Sequence, residues 1–431
     1  MKVRFVTLGC KLNFAESSAL GKELLLRGHE RASQNDVPDI CVVNTCSVTD
    51  AADHKDRQAI NQLHRKYPNA IIVVTGCYAQ LQPQQIASIE GVDYVLGQNE
   101  KYDVIQLVDE LCNKTLQKET KECLLSKSQY SEQKIRVSAI REVDDFHGVH
   151  SADDRTRCFI KVQDGCNYFC TYCTIPYARG KSRNPKIEAI LKDAQTALNQ
   201  GAKELIITGV NIGDFGRSTG ETFIDLLKAI DTLSGNYRVR ISSCEPNLLT
   251  DEIIDFVANS KHFAPHFHIP LQSGSNEVLQ IMKRRYTREL FAERVKHIRD
   301  VMPHAFIGVD CMVGVRGETE ACWEDYLAFI RGLDVSQLHV FTYSERANTR
   351  MLEMDLYVVP KAERQRRSKI LHTVSEEKTA TFYAKHAGKK AVVLWESKKE
   401  GDQMSGFTDN YIKVYGPYKK EKINTFEEIV L

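Results

Sequence analysis

The chain has 431 residues, room for about three domains, so a single small module is excluded. Hydrophobic residues make up 42% and charged residues 27%, a composition that excludes a disordered or fibrous chain. Because 58 Lys and Arg face 57 Asp and Glu, the net charge is only +1, and any surface for nucleic acid must be local.

No apolar stretch reaches the roughly 18 residues that a membrane helix needs, and no signal-peptide core follows Met1. We therefore expect a cytoplasmic protein with no membrane partner. In a reducing compartment, the 13 cysteines indicate metal binding or catalysis rather than disulfides.

Residues 1–115 are predicted to form an α/β domain. Apolar runs at 3–8, 40–43 and 71–74 are typical of buried strands, and the first is followed by a helical pattern at 15–27. Because strands alternate with helices, the pattern favours a doubly wound parallel sheet.

Three cysteines, which we call the strand-end triad, come within three residues of these strands: Cys10, Cys46 and Cys77. Loops at the carboxyl ends of parallel strands meet at one edge of the sheet, so three thiolates are expected to converge there. They suit an iron–sulfur cluster with one open iron, and zinc with a further ligand is the alternative.

A second set, the loop triad, lies beyond a charged stretch at 116–151 that we interpret as a linker. Cys166, Cys170 and Cys173 follow a predicted strand at 158–162 in the order CxxxCxxC. Such a loop can hold three irons of a 4Fe-4S cluster and leave the fourth open to S-adenosylmethionine (SAM). One-electron cleavage of the SAM sulfonium yields a 5′-deoxyadenosyl radical, so these cysteines are the candidate catalytic residues.

Five further strands are predicted within a domain at 152–383, and helices, one of them at 277–285, separate them. The strands lie at 204–208, 238–242, 266–271, 305–309 and 337–341. Six βα units predict a partial or full parallel barrel with its site at the carboxyl ends of the strands. Polar residues at these ends are the candidate SAM contacts: Thr208, Gly209, Asn211, Glu245, Gln272, Ser273 and Asp310, the last directly after its strand.

Residues 384–431, after a charged helix at 359–383, are predicted to form a small β-barrel. Its short strands are expected at 391–395, 406–408, 410–414 and 426–430. Interleaved lysines and aromatic rings suit RNA binding, although rings also fill the cores of small barrels. The candidate RNA contacts are Lys390, Trp395, Phe407, Tyr411 and Lys413.

Together these motifs resemble those of the methylthiotransferases of the radical SAM superfamily, over the whole chain. The resemblance is carried by TLGCKLN at 7–13, NTCSVTD at 44–50 and the segment 163–176 around the loop triad. The order of cluster domain, radical SAM domain and TRAM-like barrel is also that of the family. The motifs are similar to the branch acting on N6-threonylcarbamoyladenosine (t6A) in tRNA.

The resemblance implies two 4Fe-4S clusters, a SAM-binding one on the loop triad and an auxiliary, sulfur-supplying one on the strand-end triad. One SAM would methylate sulfur, and a second would yield the radical that removes hydrogen from carbon 2 of t6A next to the anticodon. It also implies a tRNA partner, an electron donor such as flavodoxin or ferredoxin, and a sulfur-supplying system. We expect a monomer.

Three other functions stay open. The chain could act on N6-isopentenyladenosine in tRNA or on a ribosomal protein, or it could be a non-catalytic RNA-binding protein with structural zinc. Structural zinc takes four closed ligands, whereas each triad supplies three. One segment departs from the family: residues 314–319 read GVRGET instead of the common GFPGET, so Arg316 replaces a proline.

Overall fold

The computed structural model describes residues 1–33, 35–115, 134–143, 146–149, 151 and 156–431. The chain divides into two compact units. The first comprises Met1–Asp153, Asp164–Asn167 and Cys173–Arg183, and the second comprises Asp154–Gln163, Tyr168–Tyr172 and Asn184–Leu431. Much of the predicted linker at 116–151 lies outside the described residues, and the four-part domain division stays a prediction.

The first unit is built on a six-stranded parallel sheet in the order β2-β1-β3-β4-β5-β6. Its strands are β1 (Lys2–Thr7), β2 (Glu30–Arg31), β3 (Ile40–Thr45), β4 (Ile71–Gly76), β5 (Val92–Leu96) and β6 (Ile135–Arg136). Its helices are α1 (Lys11–Leu26), α2 (Asp50–Lys66), α3 (Cys77–Leu81), α4 (Pro83–Ala87), α5 (Asp103–Thr115) and α6 (Ile175–Arg179). This order is the flavodoxin-like form of the doubly wound sheet, so the prediction is confirmed.

Helices cover both faces of this sheet. Alternate residues of β3 and β4 enter two separate hydrophobic cores, one shared with α1 and α5 and the other with α2 and α4. Both strands are buried along their whole length, which explains their continuous apolar sequences. The loops at the strand ends are therefore the parts that can present polar side chains to a ligand.

The second unit contains six further parallel strands. They are β7 (Arg157–Lys161), β8 (Glu204–Thr208), β9 (Arg238–Ile241), β10 (His266–Gln272), β11 (Phe306–Val313) and β12 (Gln337–Thr342). The sheets β7-β8-β9 and β10-β11-β12 are linked by single bridges next to β9 and β10. Within the described residues no pairing joins β12 to β7, so the barrel is partial.

Helices pack around this partial barrel on one continuous hydrophobic core. They are α7 (Ile187–Asn199), α8 (Phe223–Ile230), α9 (Asp251–Asn259), α10 (Asn276–Ile281), α11 (Arg288–Val301), α12 (Glu320–Gly332), α13 (Arg350–Glu353) and α14 (Lys361–Ala384). Across the part of the chain that is described, each helix is too short or too polar to cross a membrane.

Two elements of the barrel differ from the sequence prediction. Strand β11 continues to Val313 because it stays paired with β12, so Asp310 lies inside the strand rather than after it. Helix α10 ends early because Lys283 adopts a left-handed φ of 54°. The N–H of Lys283 donates to Gln280 O and that of Arg284 to Leu279 O, a Schellman-type stop that turns Arg284 off the helix.

The C-terminal sheet is antiparallel, in the order β15-β14-β13-β16, and curls into a half-barrel consistent with a TRAM-like domain. Its strands are β13 (Lys390–Glu400), β14 (Gln403–Thr408), β15 (Lys413–Pro417) and β16 (Phe426–Val430). The strand predicted at 410–414 is wrong in its start. Tyr411 has φ 65° and Ile412 N–H donates to Thr408 Oγ1, so a turn occupies the first residues.

A buried ion cluster at the start of β8 and β9 links the partial barrel to the C-terminal sheet. Glu204 has no exposed side-chain surface and accepts from Arg238 and, at 3.3 Å, from Arg240. The same guanidiniums donate to the carbonyl oxygens of Phe407 and Asp409, each at 3.0 Å. Burial alone raises the pKa of Glu204, but Arg240 and Arg238 outweigh it and hold the pKa at about 2.

We expect Glu204→Gln to destabilise the fold by about 3–5 kcal/mol near pH 7, because two buried guanidiniums lose their carboxylate. In the parent, acid favours the unfolded chain, since the ordinary pKa of 4.5 lies above the folded value of about 2. The stability that ionised Glu204 contributes is therefore lost as the pH falls from about 4.5 to 2. The free energy of unfolding of the variant should not show this decrease. Urea denaturation at several pH values tests both, with the exposed Glu188→Gln as control; a variant as stable as its parent contradicts the prediction.

Candidate active site

The strand-end triad lies at the carboxyl edge of the first unit's sheet. β1 and β3, and β3 and β4, stay in register to their last residues, so the three following loops begin side by side. Cys10 is the N-cap of α1, Cys46 follows β3, and Cys77 is the first residue of α3. Cys10 is exposed, whereas Cys46 and Cys77 are buried. The structure therefore brings the three predicted residues to one edge.

Two glycines allow the loops to approach this closely. Gly9 has φ 92°, and a Cβ there would lie 2.6 Å from Cys46 Sγ. Gly76 has φ 100°, and a Cβ there would lie 2.6 Å from Asn44 Oδ1. Both conformation and space therefore require glycine directly before Cys10 and Cys77.

The triad's chemistry fits a bound cluster. Burial, with added repulsion from Cys77 and Cys10, raises the pKa of Cys46 to about 12, so the thiolates need a strong positive partner to form together. Among the described residues, no three ligating side chains converge on a point as one metal ion requires. In an iron–sulfur cluster each thiolate binds a different iron, so the three cysteines fit this group.

The loop triad is divided between the two units. Cys166 and Cys173 belong to the first unit and Cys170 to the second. Within the first unit, Thr174 Oγ1, next to Cys173, donates to Ser47 O, next to Cys46, at 3.4 Å. One end of the CxxxCxxC loop therefore lies beside a loop of the strand-end triad.

In the second unit Cys170 is buried against Arg284, a residue that sequence reasoning missed. Arg284 Nη1 lies 3.1 Å from Cys170 Sγ, its Nε donates to Tyr286 Oη at 3.0 Å, and it forms an ion pair with Glu245. Burial raises the pKa of Cys170, and Arg284 acts in the opposite direction by favouring the thiolate. The predicted helix at 277–285 hid this residue, and the Schellman stop exposes it.

Among the predicted SAM contacts, Asn211 gives the clearest indication of a bound ligand. Its backbone N–H and that of Val210 donate to Gln163 Oε1, at 2.8 and 3.0 Å, which fixes the loop after β8. The Asn211 side chain is 3% exposed, yet neither its Nδ2 nor its Oδ1 has a hydrogen-bond partner. A buried amide with both ends unsatisfied fits a polar ligand. Thr208 and Gly209 precede it in the same loop.

The other predicted SAM contacts lie at strands β9 to β11. Gln272 ends β10 at a bulge with φ 64°, a strained conformation of the kind found at functional sites, and Ser273 after it is fully buried. Asp310 Oδ1 lies 2.7 Å from His268 Nε2, so this carboxylate already has a partner. Glu245 is held by Arg284. The roles of these four residues in ligand binding stay predictions.

The predicted RNA contacts have different environments. Trp395 is 4% exposed and packs in the core of the C-terminal sheet. Phe407 and Tyr411 are half-buried, stack at 4.8 Å and lie under the guanidiniums of Arg157 and Arg240. Lys390 is exposed and Lys413 half-buried, and Lys413 Nζ lies 4.7 Å from the ring of the exposed Tyr415, which sequence reasoning did not select.

Arg316, the departure from the family motif, has a local partner. Its Nε lies 3.0 Å from Glu345 Oε1, and Glu345 also contacts Arg364 at 3.4 Å. An ion pair therefore accompanies the arginine that replaces the usual proline.

The chain is similar to known proteins over nearly its whole length. Residues 160–330 match the Radical SAM superfamily, and residues 2–97 match the uncharacterized protein family UPF0004. The chain is 35% identical over 419 residues to the threonylcarbamoyladenosine tRNA methylthiotransferase MtaB of Aquifex aeolicus, with 96% of each chain covered. It is 29% identical over 445 residues to the tRNA-2-methylthio-N(6)-dimethylallyladenosine synthase of Desulfitobacterium hafniense, covering 100% of this chain and 94% of that one.

The solved structure of the radical S-adenosylmethionine methyltransferase TsrM from Kitasatospora setae is similar, with a TM-score of 0.57. At 15% identity, over 79% of this chain and 74% of that one, it shows a shared fold. The near full-length relatives show more than the fold. The resemblance read from the cysteine motifs is thereby confirmed: the chain belongs to the methylthiotransferase family of radical SAM enzymes and is a transferase.

Proposed function

We propose that the chain attaches a methylthio group to carbon 2 of t6A next to the anticodon of tRNA, giving ms2t6A. Membership of the family implies one 4Fe-4S cluster and SAM; a second, auxiliary cluster and a second SAM are part of the proposal. The observation that carries it is the strand-end triad, held at one sheet edge beside the Cys173 end of the loop triad.

The residues take distinct roles in this proposal. When bound, the clusters supply the electron that cleaves the SAM sulfonium and the sulfur that becomes the methylthio group. The loop triad would hold the first cluster, and Arg284 favours the thiolate form of Cys170. The unsatisfied amide of Asn211 binds a polar group of SAM, alongside Thr208 and Gly209. The strand-end triad would hold the second cluster, and the burial of Cys46 and Cys77 would keep water from it.

We assign tRNA binding to three residues of the C-terminal sheet. Lys390 and Lys413 supply positive charge for phosphates, and the Tyr415 ring, 54% exposed, is available for stacking on a base. Trp395 supports this surface from within the core. Phe407 and Tyr411 act from beneath it, since guanidiniums already cover their rings.

The proposal includes partners and a compartment. The partners would be an electron donor such as flavodoxin or ferredoxin for the first cluster and a sulfur-supplying system for the second. The chain works as a monomer in the cytoplasm.

An anaerobic single-turnover assay tests the function. The iron- and sulfide-reconstituted chain receives SAM, a reductant and two anticodon stem-loops together, one with t6A and one with isopentenyladenosine. We expect nucleoside mass spectrometry to find the methylthio group on t6A alone. Product on isopentenyladenosine alone overturns the branch, and 5′-deoxyadenosine without modified RNA overturns the substrate class. Zinc in place of iron and sulfide in the purified protein favours the non-catalytic alternative.

A further inference from the structure

Charged side chains without access to solvent lie next to the strand-end triad in the first unit. Lys101 Nζ lies 2.5 Å from Glu16, and Arg179 Nη1 lies 3.0 Å from Glu16 and 3.1 Å from Asp164. All four side chains are at most 1% exposed. Because burial of charge is costly, such a group is retained only where the charge has a use or close partners.

Arg179 reaches two loops of the triad through one amide. Its Nη2 donates to Asn13 Oδ1 at 2.6 Å. Asn13 Nδ2 in turn donates to Leu8 O and Thr45 O, each at 2.9 Å, and these carbonyls precede Cys10 and Cys46. The guanidinium therefore fixes the orientation of the amide that ties the two loops together.

The third loop of the triad is next to the same guanidinium. Arg179 is the last residue of α6, which packs against α3, and α3 begins with Cys77. Because these two helices pack together, the buried Arg179 lies near the loop of Cys77 as well as the loops of Cys10 and Cys46.

We propose that Arg179 is a positioning residue of the auxiliary site, and that its buried charge raises the reduction potential of the cluster held there. The inference rests on the proposed function, since it takes the strand-end triad as cluster ligands. Each electron added to a thiolate-bound cluster increases its negative charge, so a fixed cation nearby stabilises the reduced form. Arg179 stands six residues after Cys173, so the segment that carries the loop triad also completes the auxiliary site.

A redox titration of the full chain tests this. In a parent variant with the loop triad changed to alanine, the auxiliary cluster is the only one bound, and electron paramagnetic resonance reports its reduction. Arg179→Gln should lower the ratio of reduced to oxidised cluster about tenfold at a fixed potential, a midpoint shift of about 59 mV to lower values. Arg179→Lys should keep the ratio of reduced to oxidised cluster within about threefold of the parent's ratio, because it keeps the positive charge.

Arg183→Gln is the matched control. Arg183 also pairs with Asp164, at 3.1 Å, and its Nη1 donates to the Arg179 carbonyl oxygen at 2.7 Å. We expect its loss to leave the potential unchanged. Lys101→Met supplies a second variant with the same expected direction, and it decides the question if Arg179→Gln does not fold. The inference is overturned if Arg179→Gln binds its full cluster and shows an unshifted potential, or if Arg183→Gln shows an equal shift. Either result leaves the proposed function standing. A parent variant that takes up no iron–sulfur cluster overturns the proposed function, and this inference with it.

Discussion

We expect Cys170→Ala to abolish the cleavage of SAM to 5′-deoxyadenosine. The loop triad supplies only three thiolates, so the loss of one leaves two irons without a protein ligand. Arg284 keeps its contacts with Glu245 and Tyr286 but loses the sulfur that it contacts at 3.1 Å. Anaerobic reaction with dithionite followed by chromatography measures 5′-deoxyadenosine, and iron analysis should fall from about eight to about four per chain.

Cys112→Ala is the matched control for this variant. Cys112 is a half-buried free thiol on α5, and neither triad includes it. It should keep both the iron content and the cleavage of SAM. Cleavage by Cys170→Ala at the parent's rate would show that the loop triad does not hold the radical cluster.

The second large effect is expected at the auxiliary site. Cys46→Ala should reduce methylthio transfer to tRNA by more than about 100-fold, beyond the 10- to 100-fold typical for loss of a group that only supports a ligand. Formation of 5′-deoxyadenosine should continue, because the loop triad is untouched. Both products are measured in one reaction, by nucleoside mass spectrometry.

Cys41→Ala controls for the loss of a buried thiol, because Cys41 lies in the strand that Cys46 follows. Cys41 is fully buried in β3, within a hydrophobic core and away from the carboxyl edge. Its truncation should cost stability, about 1 kcal/mol, and leave the ratio of the two products unchanged. Undiminished methylthio transfer by Cys46→Ala contradicts the proposed role, and so does an equal loss of both products, because the two triads would then not have separate tasks.

Local sequence patterns were sufficient to predict the architecture of the chain. The apolar runs of β3, β4 and β8 were predicted to within two residues, because a strand buried on both faces must be continuously apolar. The positions of the cysteines after β1, β3 and β4 also predicted a common edge, since strand direction alone decides where parallel strands end. The family could be recognised from the same short motifs.

Tertiary structure alone decided which side chains meet. Arg284 reaches Cys170 across 114 residues of sequence, and Arg179 reaches Asn13 across 166, and no periodicity encodes such distances. The surroundings of Trp395 were also decided by tertiary packing. The composition suggested that its ring lies on a stacking surface, whereas the curl of the C-terminal sheet buries it. A sequence pattern reports the face that a residue occupies on its own element. The partner that satisfies a buried charge or amide is chosen by packing between elements, where the free energy of desolvation must be recovered.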